Sequence, residues 1–149
     1  EFNCRFGDPE AQAVLPRMKS DLLLPLLATA EGNLSGIEIE WDPRACVCVV
    51  MASKGYPGDY STGMPISGLK EASAMEGVTL FHSGTRQVGE AIQTDGGRVL
   101  GVTAMGDSVE KAIEQAYKAV KKISFEGSFY RRDIGAKALK YRKWVRVTT

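Results

Sequence analysis

One helical stripe constrains this chain more than any other feature. Val109, Ala112, Ile113, Ala116, Val120 and Ile123 recur at the spacing that places side chains on one face of a helix. A helix over 108–123 must lay that stripe on an apolar surface, and two runs can supply it. Ala45 to Ala52 is rich in Val, Cys and Met and has the length of a strand buried on both faces. Arg98 to Met105 is the second. Val78 to His82 alternates as a shorter strand, and Phe125 to Tyr130 reads as another, with a helical turn near Ala136 to Leu139. Asp95-Gly96-Gly97 between Ala91–Thr94 and Arg98–Met105 predicts a hairpin joining those two segments. Asp107 with Glu110 reads as a capping box, and Lys118, Lys121 and Lys122 suit the negative helix end. The expected fold is α/β of the α+β kind: a small mixed sheet with a flanking helix, the strands at 45–52 and 98–105 central.

The first third follows a different pattern. Residues 4–10 form a polar turn, and Ala11 to Glu31 is helical but broken. Ala11, Val14, Leu15 and Met18 share a face, and Ser20 or Asp21 caps a second segment through the leucines to Gly32. Pro25 beyond that cap predicts a kink. The leucines are expected to be the core between two packed helices. Residues 32–44, with Gly32, Asn33, Ser35, Gly36 and Trp41-Asp42-Pro43, read as a linker. The expected organisation is therefore a first unit over 1–40, a second over 41–140 and a basic tail or linker over 141–149.

Bulk properties exclude several classes. The chain has 149 residues and net charge +1, with a pI near 7.9, so nothing calls for a nucleic acid or an anionic membrane as partner. No apolar run approaches the roughly 20 residues that span a bilayer. Cys4, Cys46 and Cys48 form no regular framework, which suggests reduced thiols in a cytoplasmic protein. With His82 the sole histidine, the four ligands of a structural zinc are not at hand. The chain opens Glu1-Phe2-Asn3, without a methionine or a signal peptide, and reads as a piece of a longer polypeptide.

Glu1 and Asn3 are two apart, so on a strand they share a face. A carboxylate and an amide oxygen can hold a hard cation such as magnesium, or manganese, which completes its shell with nucleotide phosphates. Taken alone the pair is better described as a strand end with two exposed polar groups.

The surrounding residues change that balance. Glu1-Phe2-Asn3-Cys4-Arg5-Phe6-Gly7-Asp8-Pro9-Glu10 resembles a motif of the glycinamide ribonucleotide synthetases, an ATP-grasp family. The resemblance continues in order through Met18–Leu22, Val50–Tyr60, Phe81-His82-Ser83-Gly84-Thr85, Gly96–Leu100 and Arg132-Asp133-Ile134-Gly135. Ser83 stands where alanine is common in the family. The resemblance covers roughly residues 1–139. It implies the end of an ATP-grasp domain over 1–40 and the family's C-terminal domain over 41–140. It also implies an ATP-dependent ligase of purine biosynthesis that joins glycine to 5-phosphoribosylamine through glycyl phosphate. Animal and fungal members often fuse this unit to further catalytic domains.

Glu1 and Asn3 carry over as metal ligands. Arg5 and Asp8 are the candidate catalytic residues: a guanidinium can grip a carboxylate or phosphate, and Asp8 or Glu10 can accept from an ammonium. Gly7 lets backbone N–H groups approach an anion. An internal Arg5–Asp8 pair, and Glu10 as a helix N-terminal residue, are the competing readings. Tyr56, Gly58 and Asp59 lie in a Gly- and Pro-rich loop that closes over substrate or else is a structural turn. Arg98 follows the Gly96-Gly97 turn and is a candidate phosphate contact, whereas His82 is read as packing or substrate contact rather than a base. No phosphate-binding glycine-rich loop with its lysine is present, and in the family that part lies upstream. The chain alone is therefore expected to be inactive, with ATP, glycine and phosphoribosylamine engaged only alongside the missing N-terminal half. The other readings are a non-catalytic interaction module and a different ATP-grasp ligase.

Overall fold

The two apolar runs become the middle of a sheet. In the computed structural model, which describes residues 3–141, β1 (Ala45–Ser53) and β5 (Arg98–Gly106) pair along almost their whole length. β2 (Val78–His82) flanks β5 and β6 (Ser128–Tyr130) flanks β1, giving the order β2-β5-β1-β6. The α+β class holds, but the sheet is antiparallel among the described residues rather than mixed. The connections explain this. After β5 the chain passes through α4 (Val109–Val120) to β6 on the far side of β1, so β5 and β6 run alike but are never neighbours. β1 and β2 likewise run alike with β5 between them.

Strand alternation divides the residues between two faces. Val47, Val49 and Met51 oppose Ala104, Val102 and Leu100. This face carries the core, on which α4 lays Ala112, Ala116, Ala119 and Val120. Full burial of each such Val, Leu or Met contributes about 2 kcal/mol. The opposite face presents Cys46, Cys48 and Val50 beside Met105, Thr103 and Gly101, and the short helix α1 (Ala11–Val14) packs on it.

Three local expectations change. Asp95-Gly96-Gly97 is not a hairpin turn between neighbours: β4 (Ala91–Thr94) pairs with β3 (Thr85–Val88) across Gly89-Glu90. Both edges of β5 are already taken by β1 and β2, so the turn crosses from the small sheet to the large one. The α4 cap is Ser108, whose Oγ accepts from the Lys111 N–H, while Asp107 forms an ion pair with the Lys111 ammonium. Pro25 makes no kink, because α2 begins at Leu23 and Pro25 falls in its first turn, where no intrahelical N–H bond is lost.

The largest departure concerns the leucines of α2 (Leu23–Ala30). Leu23, Leu24, Leu26 and Leu27 are 58%, 59%, 45% and 49% exposed. Only Ala28 of that helix is buried. The preceding 3-10 turn, Leu15–Arg17, and an isolated bridge between Met18 and Trp41 tie this region to itself rather than to the sheet. Every residue from 31 to 41 is exposed. The sequence supplies a core-forming helix here, and the described residues supply nothing to cover it.

Candidate functional site

The site forms where residues 3–12 cross the sheet face opposite α4, and a register shift in the sheet is what builds it. Met51 opposes Leu100, but Ala52 opposes Arg98, so Val99 is an extra residue in β5. Such a bulge reverses which side the following residue faces. Regular alternation from Thr103 and Gly101 would put Val99 on the site face and Arg98 on the core side. With the bulge, Val99 is fully buried and Arg98 joins Cys48, Val50 and Ala52 around a common cleft.

Arg98 then holds two distant segments together. Its Nε donates to the Tyr56 hydroxyl at 2.9 Å. Its Nη1 donates to the Asp8 carbonyl at 2.9 Å and lies 3.3 Å from Asp8 Oδ2. These contacts hold the guanidinium further toward its charged form, the Tyr56 bond most of all. Tyr56 reaches Arg98 because residue 97 has no side chain: a Cβ at Gly97 would overlap the Tyr56 ring. The 54–60 loop needs glycine for a second reason. Gly55 has φ +100, and a Cβ there would collide with the Asp59 carbonyl. The Gly58 N–H closes the turn on the Gly55 carbonyl at 2.8 Å.

The cleft has a volume of about 420 Å³, within the range for a small-molecule site. Its floor is Cys48, Val50 and Ala52, and its walls include Pro9, Pro57, Tyr130 and Ile134. The polar groups at its rim are Tyr56, Arg98 and Arg131. Arg131 is paired with Asp133 through Nε–Oδ1 at 2.9 Å and Nη2–Oδ2 at 2.6 Å.

Thus Asp8, Tyr56 and Arg98, separated widely in sequence, are brought into direct contact. Asn3, Gly7 and Glu10 form a neighbouring group. The Asn3 amide donates to Glu10 Oε2 at 3.3 Å, and the Glu10 side chain folds over Gly7. Arg5 stands apart, donating to the adjacent Phe6 carbonyl at 3.0 Å, so the internal Arg5–Asp8 pair does not form; Arg98 takes that place. Gly58 and Asp59 are exposed on the loop beyond Tyr56. His82 bonds Thr85 at 2.9 Å and lines a separate groove with Leu69, Lys70 and Ile92. Glu1 and the segment 142–149 lie outside the described residues. Gln12, Tyr130 and Arg131 were not anticipated. Gln12 had a legible signal, since it follows Asp8 by one helical turn; Arg131 had only its neighbourhood in sequence.

Cys46 and Cys48 behave as packing groups. Burial pushes the Cys46 thiol up to about 11, and burial also raises that of Cys48; Cys4 is exposed. At pH 8 only about one Cys46 in a thousand is thiolate, the reactive form. Iodoacetamide at pH 8 is therefore expected to label Cys4 well before Cys46 and Cys48, as read by peptide mass. Equal labelling of all three would contradict the burial described.

The family model described as "Phosphoribosylglycinamide synthetase, C domain" matches residues 46–137. The chain belongs to this family. The phosphoribosylglycinamide synthetase C domain thus takes in the four-stranded sheet from the second residue of β1 onward, α4, Tyr56 and Arg98, and leaves Asp8 and the exposed leucines outside it. The chain is 52% identical over 140 residues to the phosphoribosylamine–glycine ligase of Rhodopirellula baltica, covering 93% of this chain and 32% of that protein. It is 48% identical over 145 residues to the chloroplastic ligase of Arabidopsis thaliana, covering 96% and 27%. A crystal structure of the phosphoribosylamine–glycine ligase from Thermotoga maritima superposes with a TM-score of 0.73 at 30% identity, covering 89% and 32%. The chain therefore spans about a third of the length of the curated relatives it matches.

Proposed function

We propose that this chain is the C-terminal part of an ATP-dependent ligase of purine biosynthesis that joins glycine to 5-phosphoribosylamine. The observation that carries the reading is the Arg98 bridge. A family domain and a segment outside it share one cleft through Arg98, Tyr56 and Asp8. In the reaction, the glycine carboxylate attacks the terminal phosphate of ATP, releasing ADP and forming glycyl phosphate. The amine of phosphoribosylamine then attacks the acyl carbon, and phosphate leaves with the C–O bond.

Each group has a part consistent with its chemistry. Asp8 and Glu10 accept from an ammonium, and Arg5, exposed and bonded to the neighbouring Phe6 carbonyl, can turn to grip an anion. Tyr56 and Arg98 line the substrate cleft, with Gly7, Gly58 and Asp59 as further substrate contacts on the segments beside it. Glu1 and Asn3 would hold magnesium or manganese. The donor set fits a hard cation: Asn3 gives its amide N–H to Glu10, which leaves the carbonyl oxygen for a metal. When bound, the ion offsets charge on the transferred phosphoryl group. Among the described residues no group of three or more His, Cys, Asp or Glu gathers as a metal site.

The bare leucines of α2 support reading 1–40 as the end of an ATP-grasp domain whose remainder covers them. A cytoplasmic location is part of the same proposal. No helix among the described residues is long and apolar enough to cross a membrane. The test is phosphate release by the longer ligase carrying this segment. Glycine- and phosphoribosylamine-dependent release is expected from that protein. None is expected from the 149-residue chain alone, which lacks the groups that orient ATP. Release by the long protein that ignores glycine would sink the assignment, and turnover by the short chain would sink its division of labour.

A further inference from the structure

We propose that Gln12 is a positioning residue that sets the Asp8 carboxylate against Arg98, and that the buried hydroxyl of Thr103 holds Gln12 in place. The inference rests on the reading of Asp8 as a group of the substrate cleft. Asp8 is exposed and precedes α1, so its own backbone does little to orient it. Two contacts divide its carboxylate. Gln12, four residues on and one helical turn away, donates from Nε2 to Oδ1 at 2.8 Å. Arg98 lies 3.3 Å from Oδ2.

The anchor beneath Gln12 is a core residue. Thr103 is 1% exposed on the central strand β5, and its Oγ1 donates to the Gln12 backbone carbonyl at 2.9 Å. Gln12 crosses β5 above Gly101, where a Cβ would sit at an ordinary contact distance of 3.7 Å from Gln12 Cγ. Arg98 and Thr103 belong to the same strand, so β5 fixes both oxygens of one carboxylate, one directly and one through Gln12. The choice of an amide has a chemical consequence. A neutral donor adds no second positive charge beside Arg98, so Asp8 keeps lone pairs with which to accept from a substrate ammonium. A lysine at the same place would add a second cation and repel that ammonium.

The experiment is a double-mutant cycle in the full-length ligase, with steady-state kinetics and thermal unfolding measured for every variant. Gln12→Met and Thr103→Val are each expected to lower kcat/KM about tenfold, the effect of one lost hydrogen bond at a reacting group. The KM for ATP is expected to stay at the wild-type value. Thr103→Ser, which keeps the hydroxyl, is expected to restore activity to within twofold. In the Asp8→Asn background, Gln12→Met is expected to cause no further loss, because a residue acting through Asp8 has nothing left to position. A full additional loss in that background would overturn the proposal while leaving Asp8 in the site. Thr103→Ser as inactive as Thr103→Val would overturn the anchoring role. Wild-type activity of Asp8→Asn would remove the underlying reading of the cleft and this inference with it.

Discussion

Val102→Asp is expected to abolish stable folding of the sheet domain. Val102 is fully buried on the middle strand, opposite Val49 on one side and Leu80 on the other. The face it shares is the one that α4 covers with alanines. Those small side chains bring the helix backbone close to the sheet, so a carboxylate there finds neither water nor a counter-charge. The cost is an unpaired charge plus the lost apolar contact, about 4 kcal/mol or more. That is most of the stability of a domain near the low end of the usual range of about 5–15 kcal/mol. Chemical denaturation followed by circular dichroism measures it. Val102→Ala, which leaves a cavity without a charge, should cost about half as much. A Val102→Asp protein with a near-native unfolding midpoint would mean that this strand is not the centre of the core.

How much of this was legible in the sequence depended on whether the deciding information was local. The stripe from Val109 to Ile123 and the apolar runs at 45–52 and 98–105 specified the helix and the two central strands, because periodicity and burial are properties of adjacent residues. The partner of a strand is not. Asp95-Gly96-Gly97 obeys the chemistry of a tight turn, yet which strands flank it was decided by competition for the edges of β5. Exposure of the α2 leucines was illegible for a related reason: an apolar helix states that it needs a cover, not where the cover is. At the site, Asp8, Tyr56 and Arg98 could each be nominated from their motifs. Their contact could not, since it depends on a bulge at Val99 that turns Arg98 to the face where residues 3–12 cross. Gly96, Gly97 and Gly101 surround Val99, but a glycine near a strand does not say which residue bulges.

Arg98→Ala is expected to damage catalysis in the full-length ligase far more than it damages folding. The stability side follows from exposure. The Arg98 and Asp8 side chains are 40% and 55% exposed, and ion pairs in such surroundings contribute at most about 1 kcal/mol. The functional side follows from what the guanidinium joins. It fixes Tyr56 through Nε and Asp8 through Nη1, so its loss frees the loop over the cleft and the segment beneath it together. Removing a preorganised charged donor from an active site costs about 100-fold or more in turnover, and that is the expected fall in kcat/KM for glycine or phosphoribosylamine. Arg98→Lys should recover only part of it. A lysine keeps the charge, but its ammonium is a single point and cannot serve both partners in the directions that the planar fork serves. Gly97→Ala supplies an independent approach to the same contact, since the added methyl displaces the Tyr56 ring while Arg98 stays in place. If the cleft works through this bridge, Gly97→Ala should show part of the kinetic loss of Arg98→Ala, since the Asp8 contact remains, and should resemble the wild type in unfolding. Kinetics of Arg98→Ala within threefold of wild type would show that the bridge holds the two segments together without serving the reaction.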